Sequence, residues 1–101
     1  MVLARVVGTV VSTAKARQLE DLKLLVVEKV ALPELDGSKE HLIALDAVGA
    51  NIGELVFCVT GSSARMTDIS NGRPSDTTIT AIVDSIDMDG AAVYRKNGEQ
   101  L

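Results

Sequence analysis

Three polar side chains that follow Gly61, namely Ser62, Ser63 and Arg65, are the group whose types could suggest nucleophilic catalysis. A serine nucleophile needs an adjacent base, which a third group must orient. The single histidine, His41, lies 21 positions before Ser62, and no motif pairs the two. We therefore interpret Ser62 as the cap of a short helical turn and Arg65 as an ion-pair partner. No catalytic residue is predicted.

Metal or acid–base chemistry would need several ligating or titratable side chains in one place. One histidine and one cysteine, Cys58, cannot form a site of the usual kind without carboxylates from loops, and Cys58 lies in an apolar run typical of a buried position. The candidate carboxylates are scattered: Asp46, Glu54, Asp76 and Asp84. Isolated carboxylates at strand ends more commonly cap loops or lie at interfaces. We predict no enzyme activity, no metal ion and no cofactor.

The segment 46–54, DAVGANIGE, contains two glycines four positions apart. A phosphate-binding loop would end in Gly-Lys-Ser/Thr and lead into a helix, whereas this segment leads into the apolar run 55–60. Glycine permits backbone angles that other residues reach only with strain, and asparagine tolerates the left-handed region. We therefore predict a structural loop that depends on Gly49, Asn51, Gly53 and Glu54.

Composition limits the kind of protein further. The chain has 101 residues, 47% of them apolar, and its aromatic side chains are Phe57 and Tyr94. A core built from small aliphatic residues is thin, which suggests that some of them are buried against neighbouring subunits. The net charge is −4 and no basic run occurs. Single-stranded nucleic acid is bound by aromatic side chains in a basic groove, so we predict no nucleic-acid partner.

The start of the chain, MVLARVVGTVV, resembles a strand rather than a signal peptide, which would carry a charged region before a longer apolar one. No stretch reaches the roughly 18 apolar residues that a membrane span needs. We expect one cytoplasmic domain over residues 1–101 with no membrane partner.

Short strands separated by turn signals occupy most of the chain. We predict strands over residues 2–13 (interrupted at Gly8 by a bulge or a close backbone approach), 22–32, 41–45, 55–60 and 77–86. The dipeptides Asp36-Gly37 and Asp89-Gly90 predict turns, the second leading into residues 91–94. Loops are expected over 14–21, with one helical turn, and over 67–76, and the tail 95–101 should fray.

This pattern predicts an all-β fold. We expect a small five-stranded antiparallel Greek-key barrel, similar to the oligonucleotide-binding barrels, over about residues 2–87, followed by a hairpin or tail over 88–101.

Five collinear motifs resemble one family, the bacterial microcompartment vertex proteins of the EutN/CcmL type. They are ARVVGTVVST at 4–13 with Lys15, KLL at 23–25, DAVGA at 46–50 with Gly53 and Glu54, GSSAR at 61–65, and IVD at 82–84. The resemblance implies a homopentamer that caps the vertices of a polyhedral shell otherwise tiled by hexameric and pseudohexameric shell proteins. It also implies a place in the shell, within the cytoplasm. A turn of small residues can approach a symmetry axis closely, so we expect Gly61, Ser62, Ser63, Ala64 and Arg65 near that axis.

Two features depart from the family pattern. Asn51 stands where a third glycine is common, and the tail beyond Asp87 is longer than in compact members. The Ser-Ser form of the GSSAR motif is more similar to the catabolic compartments than to the carboxysome.

The alternative function is an OB-like barrel that binds a nucleic acid or a small ligand.

Overall fold

The computed structural model describes residues 1–11, 23–60 and 77–96. These ranges contain β1 (Val2–Val10), β2 (Lys23–Ala31), β3 (Asp36–Asp46), β4 (Leu55–Thr60), β5 (Thr77–Ile82), β6 (Ser85–Met88) and β7 (Ala91–Arg95). The first five strands close into a barrel in the order β1-β2-β3-β5-β4, and β6 pairs with β7. The predicted small β-barrel with a C-terminal hairpin is confirmed. The predicted helical turns and the loop 67–76 lie outside the described residues.

The sequence analysis expected an antiparallel barrel, but one pair of neighbouring strands is parallel. β3 and β5 are parallel neighbours, with Leu45 opposite Thr78 and Asp46 opposite Ile79. The other four neighbouring pairs are antiparallel. A closed ring of five strands cannot alternate direction at every step because five is odd. One parallel pair is therefore unavoidable. β4 pairs with β1 on the side away from β2, so the parallel pair lies between β3 and β5.

The bulge that was predicted at Gly8 is confirmed. Val6 lies opposite Val27 while Gly8 lies opposite Val26, so Val7 is an extra residue in β1. The β-branched residues of β1 and β2 suit this pleated pairing. The bulge increases the local twist and bends β1 around the barrel.

The turn between β2 and β3 was predicted at Asp36-Gly37, and this was wrong. The chain turns over residues 32–35, and Asp36 and Gly37 already pair with Ala31 and Val30. Gly37 serves packing instead, because the Glu28 carboxylate occupies the space that a Cβ atom would take there. That carboxylate accepts a 2.9 Å hydrogen bond from the backbone N–H of Lys39.

β3 is correspondingly longer than the predicted strand 41–45. Residues 36–41 are exposed and polar, apart from Gly37, so they lack the apolar alternation that marks a half-buried strand. Backbone hydrogen bonds to β2 hold them in the sheet, and a sequence pattern does not report such bonds.

The predicted strand 77–86 is divided in two. The break is at Val83 and Asp84, where the N–H of Val83 donates to the carbonyl oxygen of Leu55 at 2.8 Å. The predicted turn at Asp89-Gly90 is confirmed, with φ angles of 53° and 79° that match a two-residue hairpin turn. Arg95, predicted to fray, belongs to β7 and contacts the Asp87 carboxylate at 3.0 Å. Residues 97–101 lie outside the described part.

Two hydrophobic clusters stabilise the fold. The first fills the barrel with small side chains: Ala4, Val6, Leu25, Val27, Ala44, Ala50, Val56, Cys58 and Ile79. The second lies between the barrel wall and the hairpin and centres on Leu55, Val83 and Tyr94. Phe57 packs against this second cluster, so both aromatic residues of the chain are there. The hairpin thus covers an apolar part of the barrel wall.

Truncation of Tyr94 tests whether the hairpin contributes to stability. Tyr94 is buried in the second cluster, so Tyr94→Ala should lower the free energy of unfolding by about 3 kcal/mol, as large-to-small core substitutions do. Urea denaturation followed by circular dichroism measures this change. Met88→Ala in the same hairpin is the control, since Met88 is exposed and its loss should have little effect. Equal stability of the two variants would contradict the packing described.

Candidate functional site

The Asp46 carboxylate organises the predicted structural loop. Asp46 is the last residue of β3 and is buried. Its Oδ1 accepts hydrogen bonds from the N–H groups of Val48 at 3.0 Å and Gly49 at 2.9 Å. The N–H of Ala50 donates to both oxygens, at 3.2 and 3.0 Å. Three backbone donors therefore compensate a buried carboxylate, which makes this turn rigid rather than reactive.

Gly49 and Gly53 are needed for their backbone conformation. Their φ angles are 81° and 94°, within the left-handed region that non-glycine residues enter only with strain. A Cβ atom at either position would meet none of the described residues within 4 Å. The reason for glycine at these positions is thus conformational and not steric.

Asn51 and Glu54 close the second half of the loop. The Asn51 N–H donates to Glu54 Oε1 at 2.7 Å, and the Glu54 N–H donates to the Asn51 carbonyl at 3.1 Å. Asn51 is not among the described residues with positive φ, so its tolerance of the left-handed region is not used here. This part of the interpretation was wrong. At position 51 the backbone instead binds Glu54 twice, through its N–H to the Glu54 carboxylate and through its carbonyl oxygen to the Glu54 N–H.

The loop closes the barrel where β1 extends past β4. β4 pairs with β1 only over Val2 to Arg5. Beyond that point the loop takes over: Val6 donates to the Glu54 carbonyl at 2.9 Å and accepts from the Gly53 N–H at 2.8 Å. Arg5 Nη1 also donates to the Gly53 carbonyl at 3.0 Å. Ala50 is buried in the barrel core, so the loop is part of the barrel wall.

A lysine of the C-terminal hairpin reaches the same loop. Lys96 Nζ lies 3.4 Å from Glu54 Oε2 and 3.9 Å from Asp84 Oδ1. Glu54 is the less exposed partner, with 16% of its side chain accessible. The sequence analysis missed this link because Lys96 was assigned to a fraying tail. The regular hairpin turn at Asp89-Gly90 was the signal that could have placed it.

The remaining candidate side chains do not converge. Asp46 and Glu54 are engaged in the loop, Asp84 is exposed, and Asp76 and residues 61–65 lie outside the described part of the chain. His41 is exposed on β3 opposite Glu28. Within the described ranges, no three potential metal ligands come together and no pocket opens that could hold a small molecule.

Cys58 occupies the barrel core, as its apolar neighbours predicted. Its side chain is buried, and this burial raises the pKa of the thiol from 9.0 to about 11. A thiol at neutral pH is a weak nucleophile. The described ranges contain no helix long and apolar enough to span a membrane.

The barrel, its loop and its hairpin define a class of small OB-like barrels whose wall is completed by an ordered loop. Residues 1–84 match the EutN/CcmL family, which is described as "Ethanolamine utilisation protein EutN/carboxysome". The chain belongs to this EutN/CcmL family, as its five motifs suggested.

Relatives in the family match the chain along nearly all of their length. The carboxysome shell vertex protein CcmL of Synechococcus elongatus is 39% identical, over 95% of this chain and 96% of that protein. The microcompartment shell vertex protein PduN of Salmonella typhimurium is 42% identical, over 85% and 98%. The solved structure of CcmL from Nostoc covers 95% of this chain and all of that one, at 37% identity and a TM-score of 0.87. The GrpN pentameric microcompartment shell protein from Rhodospirillum rubrum covers 87% and 99%, at 38% identity and a TM-score of 0.77.

Substitution of Gly49 tests the conformational requirement. Gly49→Ala should lower the free energy of unfolding by about 1–2 kcal/mol, because alanine is strained at this φ although space is free. Gly49→Asn should cost less, since asparagine enters the left-handed region more readily. Chemical denaturation of the three proteins gives the order. An alanine variant as stable as the parent would contradict the assignment.

Substitution of Asp46 tests the carboxylate. Asp46→Ala leaves three loop donors without their acceptor and should cost about 2–3 kcal/mol. Asp46→Asn keeps one acceptor oxygen and should lose less. Hydrogen exchange of the Val48, Gly49 and Ala50 amides measures the local effect. Unchanged protection of these amides in Asp46→Ala would show that the carboxylate does not organise the loop.

Proposed function

We propose that this chain is a structural shell protein of a bacterial microcompartment, which forms homopentamers that cap the vertices of the polyhedral shell. The observation that carries the proposal is the match to shell vertex proteins from end to end, at 39% identity over 95% of this chain in one case. Pentameric shell proteins are among the solved structures with the same fold.

The geometry of a shell explains why such a subunit is needed. A sheet tiled by hexamers is flat, and fivefold units introduce the curvature that closes it. A cyclic pentamer needs a head-to-tail contact in which each subunit buries two different patches. Large apolar side chains are exposed on the described surface at Met1, Val7, Val11, Leu32, Ile43, Val48, Ile52 and Met88. For a 101-residue barrel, those of them that lie together on one face are candidates for burial between subunits.

The described residues favour assembly over the alternative of nucleic-acid or ligand binding. Phe57 and Tyr94, which would be needed to stack on bases, pack between barrel and hairpin. The net charge of −4 opposes a polyanion. We therefore propose a role without catalysis and without a cofactor, in which self-association and contact with hexameric or pseudohexameric shell proteins are the activity. Its place is the microcompartment shell within the cytoplasm.

Overall identity to this chain is the same for a carboxysome vertex protein and for an ethanolamine-utilisation vertex protein. CcmL of Synechococcus elongatus and EutN of Salmonella typhimurium are both 39% identical to this chain. The similarity to catabolic compartments therefore rests on Ser62 and Ser63 of the GSSAR motif, and both residues lie outside the described part of the chain.

The native mass tests the proposal directly. Light scattering during size exclusion should give a mass near five times that of the 10.6 kDa chain. Co-expression with a hexameric shell protein should then yield closed polyhedral particles, whereas the hexamer alone should give open sheets or tubes. A stable monomer or dimer at micromolar concentration would contradict the pentamer. A pentamer that leaves the hexamer assemblies open would contradict the vertex role.

A further inference from the structure

The outer wall of the barrel carries a continuous uncharged surface across β1, β2 and β3. Gly8 lies opposite Val26, and Val26 lies opposite Ile43. Their sequence neighbours Val27 and Ala44 are in the barrel core, so these residues face outward. Val7, the extra residue of the bulge, is 40% exposed and Ile43 is 51% exposed.

The structural loop extends this surface past β1. The hydrogen bonds of Val6 with Gly53 and Glu54 continue the antiparallel course of β4 beyond Leu55. Ile52, which precedes Gly53, is therefore brought beside the bulge at Val7. Its side chain is 63% exposed. We call the complete set the apolar belt, and it consists of Val7, Gly8, Val26, Ile43 and Ile52.

A row of polar side chains borders the belt on the same face. Arg5 lies opposite Glu28, and Glu28 lies opposite His41, one outward position along from the belt. An apolar centre beside a polar row is the usual arrangement of a protein–protein contact. The belt itself has no charged side chain that would select a polyanion or another highly charged partner.

Gly8 supplies a second, independent indication. Its φ is not in the positive range, and a Cβ atom there would lie 3.6 Å from the Val26 Cβ, an ordinary van der Waals distance. Nothing in the described part of the subunit therefore requires glycine at this position. A glycine in the middle of a strand costs stability relative to alanine, so another constraint is expected to keep it. Close approach of a second chain to the bulge would be such a constraint.

We propose that the apolar belt is one side of the contact between neighbouring copies of this chain, so that each subunit seats a different patch of the next subunit on it. The proposal rests on the pentamer proposed above. In a ring of barrels each subunit buries part of its wall against a neighbour. The belt is an uncharged patch suited to this, and it extends over the loop, β1, β2 and β3. The bare backbone at Gly8 lets the neighbour approach closely.

Charge placed on the belt should break the ring. Ile43→Asp should lose the pentamer and run as a monomer in size exclusion with light scattering, because an aspartate would be buried without a partner. Its circular dichroism spectrum should stay that of the folded barrel, since position 43 is half exposed in the single chain. Leu32→Asp is the matched control: Leu32 is 47% exposed and lies outside the belt, so its pentamer should persist. A pentameric Ile43→Asp, or dissociation of both variants, would overturn the proposal.

A labelling experiment avoids any disturbance of folding. Cys58 is buried with a pKa near 11, so a maleimide should not modify it in the folded protein. Ile43→Cys in the assembled protein should react about tenfold or more slowly than Leu32→Cys, because access requires the ring to open. Equal rates would show that the belt is open to solvent. Gly8→Val should also lose the pentamer while keeping the fold.

The oligomeric state of the unsubstituted protein distinguishes a failure of the proposed function from a failure of the belt contact. A parent that is not pentameric would refute the function and the belt contact together. A pentameric parent whose Ile43→Asp variant is also pentameric would refute only the belt contact. If that variant keeps the pentamer but no longer closes hexamer assemblies, the belt would contact the hexameric protein, which also contradicts a contact between copies.

Discussion

The odd number of strands in the closed barrel is the constraint on which the rest of the structure depends. Five strands require one parallel pair, and we call the boundary between the parallel strands β3 and β5 the parallel seam. The chain leaves β3 at this seam and begins β4 on the far side of β5. The loop that makes this crossing replaces β4 beside the second half of β1 and places Ala50 in the core. Asp46, at the seam itself, holds the loop through three backbone N–H groups. A buried charge is here a structural part of barrel closure.

The C-terminal hairpin compensates for a core of small side chains. Alanine and valine dominate inside the barrel, and each contributes less on burial than a large aromatic residue would. The second cluster brings Phe57 and Tyr94 together on the outside of the barrel wall and covers Leu55. Lys96 then joins the hairpin to the loop through Glu54. Barrel, loop and hairpin thereby support one another, and among the described residues the apolar belt lies on a part of the wall that the hairpin does not cover.

The function proposed for this protein depends on its surface. Asp46 caps the loop, Glu54 forms an ion pair with Lys96, and Cys58 is buried. What distinguishes the described surface is the exposure of aliphatic side chains on a rigid wall. Rigid walls suit a ring of identical subunits, because the angle between neighbours has to be the same at every contact.

The sequence alone determined the β-class, the bulge at Gly8, the turn at Asp89-Gly90 and the positive φ of Gly49 and Gly53, because each of these depends on local backbone preference. It also carried the family resemblance. It could not determine where β3 begins or that Asp36-Gly37 is not the turn, since pairing with β2 outweighs turn propensity there. The parallel seam, the capping by Asp46 and the link from Lys96 depend on residues far apart in the chain. Only tertiary structure decides such contacts, because their energy arises from which strands become neighbours and not from the residues' own conformational preferences.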